Sequence, residues 1–164
     1  MDRKTKKFIL ILYKISTHVL FLIIGLCLGM YLLPIITAST KPNSTLINLA
    51  LENSKYETVF VRDLPGSSFL YWGQGQLSLS EKNIVFQGKL SPGPSYKFYL
   101  TKKNVNDKES FLKNKTNAIL IGDINSFNGF ILKISPSINI DNYNYAVVWC
   151  ESFSQFITSA RYQQ

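Results

Sequence analysis

Cysteine, histidine and methionine are the residues that most redox and metal chemistry requires, and this chain has few of them. Its two cysteines are Cys27 and Cys150, and its one histidine is His18. Beyond Ala38 there is no histidine, no methionine and a single cysteine. Copper and zinc centres need several such ligands, and Ser-His-Asp or Cys-His catalysis needs a histidine. The sequence therefore predicts no metal site, no cofactor and no catalytic triad after Ala38, and it does not favour an enzyme.

Cys150 is the candidate redox residue, and Trp149 is its candidate neighbour in the site. A reactive thiol needs a lowered pKa or exposure to solvent, and the adjacent Glu151 would raise the thiol pKa if it lies close. Free cysteine is also among the most buried residue types. Two interpretations stay open: a redox thiol that acts with an external partner, or a thiol packed in the core of an interaction module.

The run that ends at Cys150 predicts a strand, because Val, Trp and Tyr at this density favour half-buried or buried strands. Successive side chains of a strand point to opposite faces. One face is expected to carry Tyr145, Val147 and Trp149, and the other Ala146, Val148 and Cys150.

Eight further runs also read as short strands, and Gly, Pro, Ser and Asn separate them. The full set is residues 58–62, 69–72, 76–79, 83–86, 96–101, 118–121, 129–134, 145–150 and 155–160. Gly73-Gln74-Gly75 and Asn128-Gly129 are interpreted as turns between strands. The predicted fold class is all-β, an antiparallel β-sandwich or barrel-like domain preceded by one N-terminal transmembrane helix.

Two segments of the region after residue 38 do not read as strands. Thr45 to about Ser54 has apolar residues at helical spacing, with Asn43 or Ser44 available as the N-cap, and predicts a short helix. Residues 104–116 are polar and predict a flexible loop, with one helical turn at 108–112.

The N-terminal segment has the length and charge pattern of a membrane helix. Residues 19–36 run for 18 residues without a charge, and basic residues precede them. A bilayer core needs about 17–25 such residues. The pattern predicts contact with membrane lipid through residues 8–36, a cytoplasmic N-terminus and an extracytoplasmic C-terminal part.

Retention of this segment is favoured over its removal. The apolar region is longer than the roughly 7–15 residues of a usual signal peptide, and cleavage near Ala38 with secretion is the alternative. The predicted organisation is a signal-anchor at 1–38, a linker with a short helix at 39–56 and a β-rich domain at 57–164. Gly25 and Gly29 match a small-residue spacing that permits a weak dimer, although a plain spanning helix is the favoured interpretation.

The net charge of +8 does not predict nucleic-acid binding once its distribution is considered. Five Lys and Arg against one Asp give the first 38 residues +4, and thirteen against nine acids give the remainder +4. Half of the basicity thus belongs to the N-terminal segment. The five lysines between residues 102 and 115 are interleaved with acids and indicate a solvated face.

Three ordered blocks of the sequence resemble the DM-thirteen domain, also called the electron-transfer DM domain. The first block holds Gly75-Gln76-Leu77, Phe86 and residues 93–100. The second holds Gly122 and residues 128–132, and the third holds residues 145–153 with Ala160. The resemblance covers about residues 72–162.

The resemblance implies a β-rich extracytoplasmic domain that works in redox or electron transfer. Cys150 stands at the position of the family's near-invariant cysteine, so the resemblance assigns the redox role to this thiol. With no cofactor site of its own, the domain would need an external partner protein. Ser95 departs from the family pattern, because an acidic residue is usual after the Gly-Pro pair.

Overall fold

The computed structural model describes residues 2–163, which divide into two units between residues 36 and 37. Helix α1, Arg3–Thr37, accounts for the first unit, and its large apolar side chains are exposed. Within the described residues it is the one helix long and apolar enough to cross a membrane. A helix of this kind near an N-terminus serves as an anchor or as a signal sequence.

Helix α2, Ser44–Leu51, confirms the short helix predicted after the linker. The side chain of Asn43 caps it by accepting a hydrogen bond from the Leu46 backbone N–H at 2.8 Å. This bond satisfies one of the N–H groups that a helix start leaves without a partner. Ile47 is the residue of this helix that becomes buried.

Eight strands in the described residues form two four-stranded antiparallel sheets, which pack as a sandwich. The first sheet has the order β1 (Tyr56–Phe60), β2 (Gly73–Leu79), β3 (Asn83–Leu90) and β6 (Phe130–Lys133). The second has the order β5 (Ile119–Ile124), β4 (Tyr96–Thr101), β7 (Tyr145–Cys150) and β8 (Gln155–Arg161). The bounds predicted for β4 and β7 are confirmed, and the antiparallel sandwich is confirmed as the architecture of this unit.

The main core lies between the two sheets and is rich in aromatic side chains. Phe60 and Phe86 of the first sheet contact each other with ring centroids 5.6 Å apart, and Phe98 of the second sheet lies 6.5 Å from Phe60. Fully buried aromatic side chains contribute large apolar areas to a core, and tilted ring pairs add to that stabilisation. Cys150 belongs to this core.

A second, smaller core lies on the other face of the second sheet. We call it the outer cluster; its buried members are Tyr99, Val105, Phe111, Val147, Trp149 and Phe156. Helix α3, Lys108–Asn114, brings Phe111 to it, and Asp107 caps this helix by accepting a hydrogen bond from the Ser110 N–H at 2.7 Å. The helical turn predicted at 108–112 is therefore confirmed, whereas the flexible loop predicted at 104–116 and a purely all-β domain are wrong. The polar sequence concealed the order of this segment, because only two of its side chains, Val105 and Phe111, are buried.

Two further local predictions are also wrong. Residues 69–72 form no strand, because the backbones of Ser68 and Tyr71 hydrogen-bond to each other and close a turn. Phe69 lies in this turn and is 87 % exposed. Gly73-Gln74-Gly75 is the start of β2 and not a turn. Gly75 has φ +146°, and an added Cβ would clash with the Gln87 carbonyl and with Gly88 across the sheet. Gly75 allows two strands to approach closely. In the sequence, glycine in this role cannot be told from glycine in a turn.

The Asn128-Gly129 turn connects strands of different sheets and not two strands of a hairpin. It lies between β5 of the second sheet and β6 of the first. Gly129 has φ +118°, a conformation that glycine adopts without strain. The predicted turn between strands is therefore confirmed, and the structure adds that it joins the two sheets.

Candidate functional site around Cys150

Strand β7 places its last two side chains in different environments. Cys150 pairs with Tyr96 on β4 and with Gln155 on β8, and its side chain is 0 % exposed in the core between the sheets. Trp149 is also 0 % exposed but lies in the outer cluster. The predicted division of the strand into two faces is confirmed. Trp149 is consequently a neighbour of Cys150 along the chain, with its ring on the opposite side of the sheet.

The loop before β4 closes over the sulfur of Cys150. The thiol donates a hydrogen bond to the carbonyl oxygen of Pro94 at 3.1 Å. The Glu151 N–H donates to the Ser95 carbonyl at 3.1 Å, which joins this loop to the turn after β7. Gly93 leaves room for the Tyr96 ring, since a Cβ there would lie 2.5 Å from the phenol oxygen. The Gly-Pro segment of the sequence thus forms one wall of the thiol site.

Ser95, the residue at the usually acidic position, has a left-handed backbone with φ 51° and is exposed. Short polar residues tolerate this conformation better than other non-glycine residues, and aspartate is enriched in it. The backbone geometry therefore accounts for a small polar or acidic residue here without any contact between its side chain and the thiol.

The surroundings of Cys150 keep it protonated near neutral pH. Burial raises the pKa of the thiol, because a thiolate is costly in an apolar environment. The backbone N–H groups of Phe153 and Ser152 act against this rise, and the charge of Glu151 adds to it. The sequence-based expectation that Glu151 would raise the thiol pKa has the correct sign, but burial is the larger cause.

The outer cluster brings three aromatic rings into a continuous contact. The Phe111 ring lies 4.5 Å from the Trp149 ring and 5.2 Å from the Tyr99 ring, measured between centroids. The Lys115 ammonium lies 5.6 Å from the centre of the Trp149 ring. These residues come from β4, α3, the 3₁₀ turn after α3 and β7, so four separate elements assemble the cluster.

Glu151 connects this cluster to the turn after β7. Its carboxylate accepts a hydrogen bond from the Tyr99 hydroxyl and another from the Lys115 ammonium at 2.6 Å. Burial acts to raise the pKa of Glu151, but the two hydrogen bonds outweigh it and lower the pKa. The Trp149 indole N–H does not reach hydrogen-bond geometry with any acceptor. It still lies close enough to Glu151 to stabilise the ionised carboxylate and lower its pKa slightly further.

The same environment keeps the Tyr99 phenol neutral. Burial, followed by the hydrogen bond to Glu151, raises the pKa of Tyr99 far above the usual value for tyrosine. The hydroxyl is therefore a donor to an ionised carboxylate over the whole physiological pH range. Charge-assisted hydrogen bonds of this kind are stronger than neutral ones.

Sequence reasoning did not find Tyr99 and Lys115 as partners of Glu151. Lys115 was assigned to a solvated face, and Tyr99 was placed only within the predicted strand 96–101. Residues 99, 115 and 151 are far apart in the chain, and no local motif links them. In the described part of the chain, no group of three or more His, Cys, Asp and Glu residues lies together that could hold a metal ion.

Comparison with protein families gives one match, and it covers the region just described. The family model named electron transfer DM13 matches residues 66–162. This range contains seven of the eight described strands, from β2 to β8, and includes Cys150 and the outer cluster. Comparison with curated proteins and with solved structures gives no match. Because the family model covers more than half of the chain, the chain belongs to the electron-transfer DM13 family.

Proposed function

We propose that this protein is a membrane-anchored, extracytoplasmic electron-transfer domain whose redox group is the thiol of Cys150, acting with an external partner protein. Membership of a family named for electron transfer supports the proposal. The position of Cys150 is the observation that carries it: the thiol ends a central strand beneath two loops, and backbone N–H groups of Ser152 and Phe153 act toward its sulfur. Such donors stabilise negative charge on sulfur and so favour loss of the thiol proton.

The buried sulfur favours electron transfer over direct disulfide exchange. Disulfide exchange needs an attacking thiolate in contact with another sulfur, and Cys150 is 0 % exposed. Electron transfer does not need that contact. In the proposed step the Cys150 thiol loses one electron to a one-electron oxidant on the partner, and a thiyl radical forms. Its proton passes to a water molecule that reaches the sulfur when the loop at Pro94 opens. One electron and one proton from a donor restore the thiol.

The anchor part of the proposal rests on α1. Its basic N-terminal residues and apolar length support a retained helix that contacts lipid through residues 8–36, with the N-terminus in the cytoplasm. Reporter fusions at each end test the topology, and alkaline extraction tests anchoring. A chain that leaves the membrane fraction at high pH, or a mature form that starts after Ala38, would instead support secretion.

Detection of a sulfur radical in the full chain tests the thiol. The sample is oxidised photochemically in detergent micelles in the presence of a spin trap, and electron paramagnetic resonance identifies the radical. A Cys27→Ser variant leaves Cys150 as the sole cysteine, and a Cys27→Ser/Cys150→Ser variant is the matched control. The first chain should give a sulfur-centred radical that the control lacks. If the two chains give the same spectrum, and Cys150→Ser preserves all function in the cell, the proposal fails.

Complete burial of Cys150 also favours a second candidate, a non-enzymatic interaction module at the membrane surface. In that case the thiol is a core residue, and partner binding does not depend on it. Cross-linking of the anchored chain should then recover the same partner with the wild type and with Cys150→Ser. Recovery of none with either chain would count against the module.

Self-association through α1 is a subsidiary proposal about partners. A Cβ added at Gly25 or Gly29 would meet no atom within 4 Å, so both positions are open to a second helix. A weak dimer through this surface should be lost in a Gly25→Leu/Gly29→Leu double variant. Monomeric migration of the wild-type chain after cross-linking in membranes would exclude it.

A further inference from the structure

The hydrogen bond between Tyr99 and Glu151 has no part in the thiol chemistry. It joins a buried phenol to a carboxylate that a lysine also holds. The phenol belongs to a residue that is 7 % exposed, and it donates to a carboxylate whose other oxygen accepts a bond from Lys115 at 2.6 Å. The Tyr99 ring contacts the Phe111 ring, which contacts the Trp149 ring. An oxidisable ring, a proton acceptor and a buried aromatic contact path therefore occur together.

We propose that Tyr99 and Glu151 form a second redox group, in which electron loss from the phenol is coupled to proton transfer to the carboxylate. The oxidant is a one-electron acceptor, such as a ferric haem of a partner or a photogenerated ruthenium(III) complex in the laboratory. Tyr99 loses one electron to that acceptor, and its hydroxyl proton moves to Glu151. A neutral phenoxyl radical, a protonated carboxyl group and the reduced acceptor result, so charge and atoms balance.

The geometry supplies what this step requires before the oxidant arrives. The proton acceptor is already hydrogen-bonded to the phenol, so no diffusion of a base is needed. The carboxylate is ionised, because Lys115 and Tyr99 lower the pKa of Glu151. Because Tyr99 is buried, its radical does not readily meet a tyrosyl radical on another protein molecule, and the coupling of two radicals is slow.

The chain contains a matched comparison at a different place in the β-rich unit. Tyr56 donates to Asp141 at 2.8 Å, and Lys55 donates to the other oxygen of Asp141 at 2.6 Å. The residue types repeat those of the Lys115, Glu151 and Tyr99 group. However, Lys55 is exposed, Asp141 and Tyr56 are half-buried, and Tyr56 belongs to the edge of the main core, whereas Tyr99 is buried. The two groups differ in burial and in contact with the outer cluster.

The proposal does not depend on Cys150, because the thiol lies on the other face of β7. A Cys150→Ser chain should form the Tyr99 radical as the wild type does. Failure of the thiol proposal and failure of the tyrosine proposal are therefore distinguishable in the same preparation.

Flash photolysis of the full chain in detergent micelles tests the proposal. The sample contains a ruthenium(II) polypyridyl complex and an irreversible cobalt(III) electron acceptor, and transient absorption separates phenoxyl from indolyl radicals. The wild type should give a slowly decaying phenoxyl radical whose formation slows in D₂O. Tyr99→Phe should abolish this slow phase, and Tyr56→Phe should leave it unchanged. Glu151→Gln should slow its formation about a hundredfold, the lower end of what a positioned base contributes.

Near-ultraviolet circular dichroism checks that each variant is folded. Tyr99→Phe retains the ring and removes only the hydroxyl, and Glu151→Gln alters a side chain that is 26 % exposed. If Tyr99→Phe does not fold, the rate of radical formation in Glu151→Gln and the slowing of the wild type in D₂O still test the proposal. An unchanged slow phase in Tyr99→Phe, or an unchanged rate in a folded Glu151→Gln chain, overturns the proposal.

Discussion

At the scale of single residues, the neighbours Cys150 and Glu151 have opposite electrostatic surroundings. Cys150 lies in an apolar core, where burial raises the pKa of its thiol. Glu151 follows directly and turns to the outer face, where Lys115 and Tyr99 lower the pKa of its carboxyl group. A neutral thiol and an ionised carboxylate therefore coexist near neutral pH because the chain turns between them.

The first prediction concerns the acid stability that Glu151 contributes. Its folded-state pKa lies below its unfolded value, so its contribution is complete above that unfolded value, about 4.3. The contribution is lost as the pH falls through the folded pKa. Glu151→Gln should therefore cost about 1 kcal/mol of unfolding free energy at pH 7 and have a flatter acid limb. Urea unfolding at a series of pH values measures both effects.

Glu109→Gln is the matched control for that measurement. Glu109 pairs with Lys113 at 2.7 Å, but both side chains are at least 70 % exposed. Its substitution should change stability by less than about 0.5 kcal/mol, as is usual for an exposed ion pair. Equal effects of the two substitutions would show that the Glu151 contacts contribute no more than a surface pair.

At the scale of elements, α3 is held to the second sheet by one fully buried ring. Phe111 is the buried residue of this seven-residue helix and contacts both Trp149 and Tyr99. Phe111→Ala should lower the free energy of unfolding by about 3–5 kcal/mol, because it leaves a cavity beside two aromatic rings. Trp149 fluorescence should shift to the red as water reaches the indole.

Leu112→Ala is the control on the same helix. Leu112 is 48 % exposed, so its substitution should cost much less than that of Phe111 and leave the fluorescence unchanged. A loss as large as that of Phe111→Ala would mean that helix propensity, and not burial of one ring, holds α3 in place.

The pairing of β2 with β3 gives a prediction about glycine. Gly75 faces Gly88 across the sheet and has φ +146°, so a side chain there is both strained and obstructed. Gly75→Ala should cost about 2 kcal/mol or more. At Gly122 an added Cβ would meet only Leu132 at 3.8 Å, and Gly122→Ala should be close to neutral or mildly stabilising. Thermal unfolding of the two variants side by side would contradict this account if the order were reversed.

At the scale of the whole molecule, its stability should decline at alkaline pH because several acidic groups are buried in their neutral form. The pKa values of Cys150, Tyr99 and Tyr162 are all raised, chiefly by burial. The unfolded chain releases these protons at lower pH than the folded chain does. Stability is therefore complete below the unfolded pKa of a thiol, about 8.5, and is lost as the pH rises through the folded pKa values.

Cys150→Ala isolates the contribution of the thiol to this decline. The variant should be less stable than the wild type by about 1 kcal/mol at pH 7, because it removes the buried sulfur. Between roughly pH 8.5 and 10 its stability should fall less steeply than that of the wild type. Parallel curves in this window would indicate that the folded state does not perturb the thiol. Urea unfolding across the window provides the measurement.

Local sequence patterns determined the elements of this protein that depend on neighbours in the chain. Period-2 alternation and β-branched residues were sufficient for β4 and β7, and an Asn side chain before an apolar helical run was sufficient for α2. Uninterrupted apolar length was sufficient for the long N-terminal helix. The resemblance of three ordered blocks was sufficient for the family, which the match over residues 66–162 confirms.

Only the tertiary structure decided which elements meet, because pairing and burial join residues that are distant in sequence. The segment 69–72 has the composition of a strand but lies in a turn that the backbones of Ser68 and Tyr71 close. The polar segment 104–116 is ordered because Phe111 packs against the second sheet. Tyr99 and Lys115 reach Glu151 across 52 and 36 residues of chain. The sequence by itself identified Cys150 as the candidate thiol; its burial under Pro94, and the carboxylate group assembled on the opposite face, follow from the packing of the two sheets.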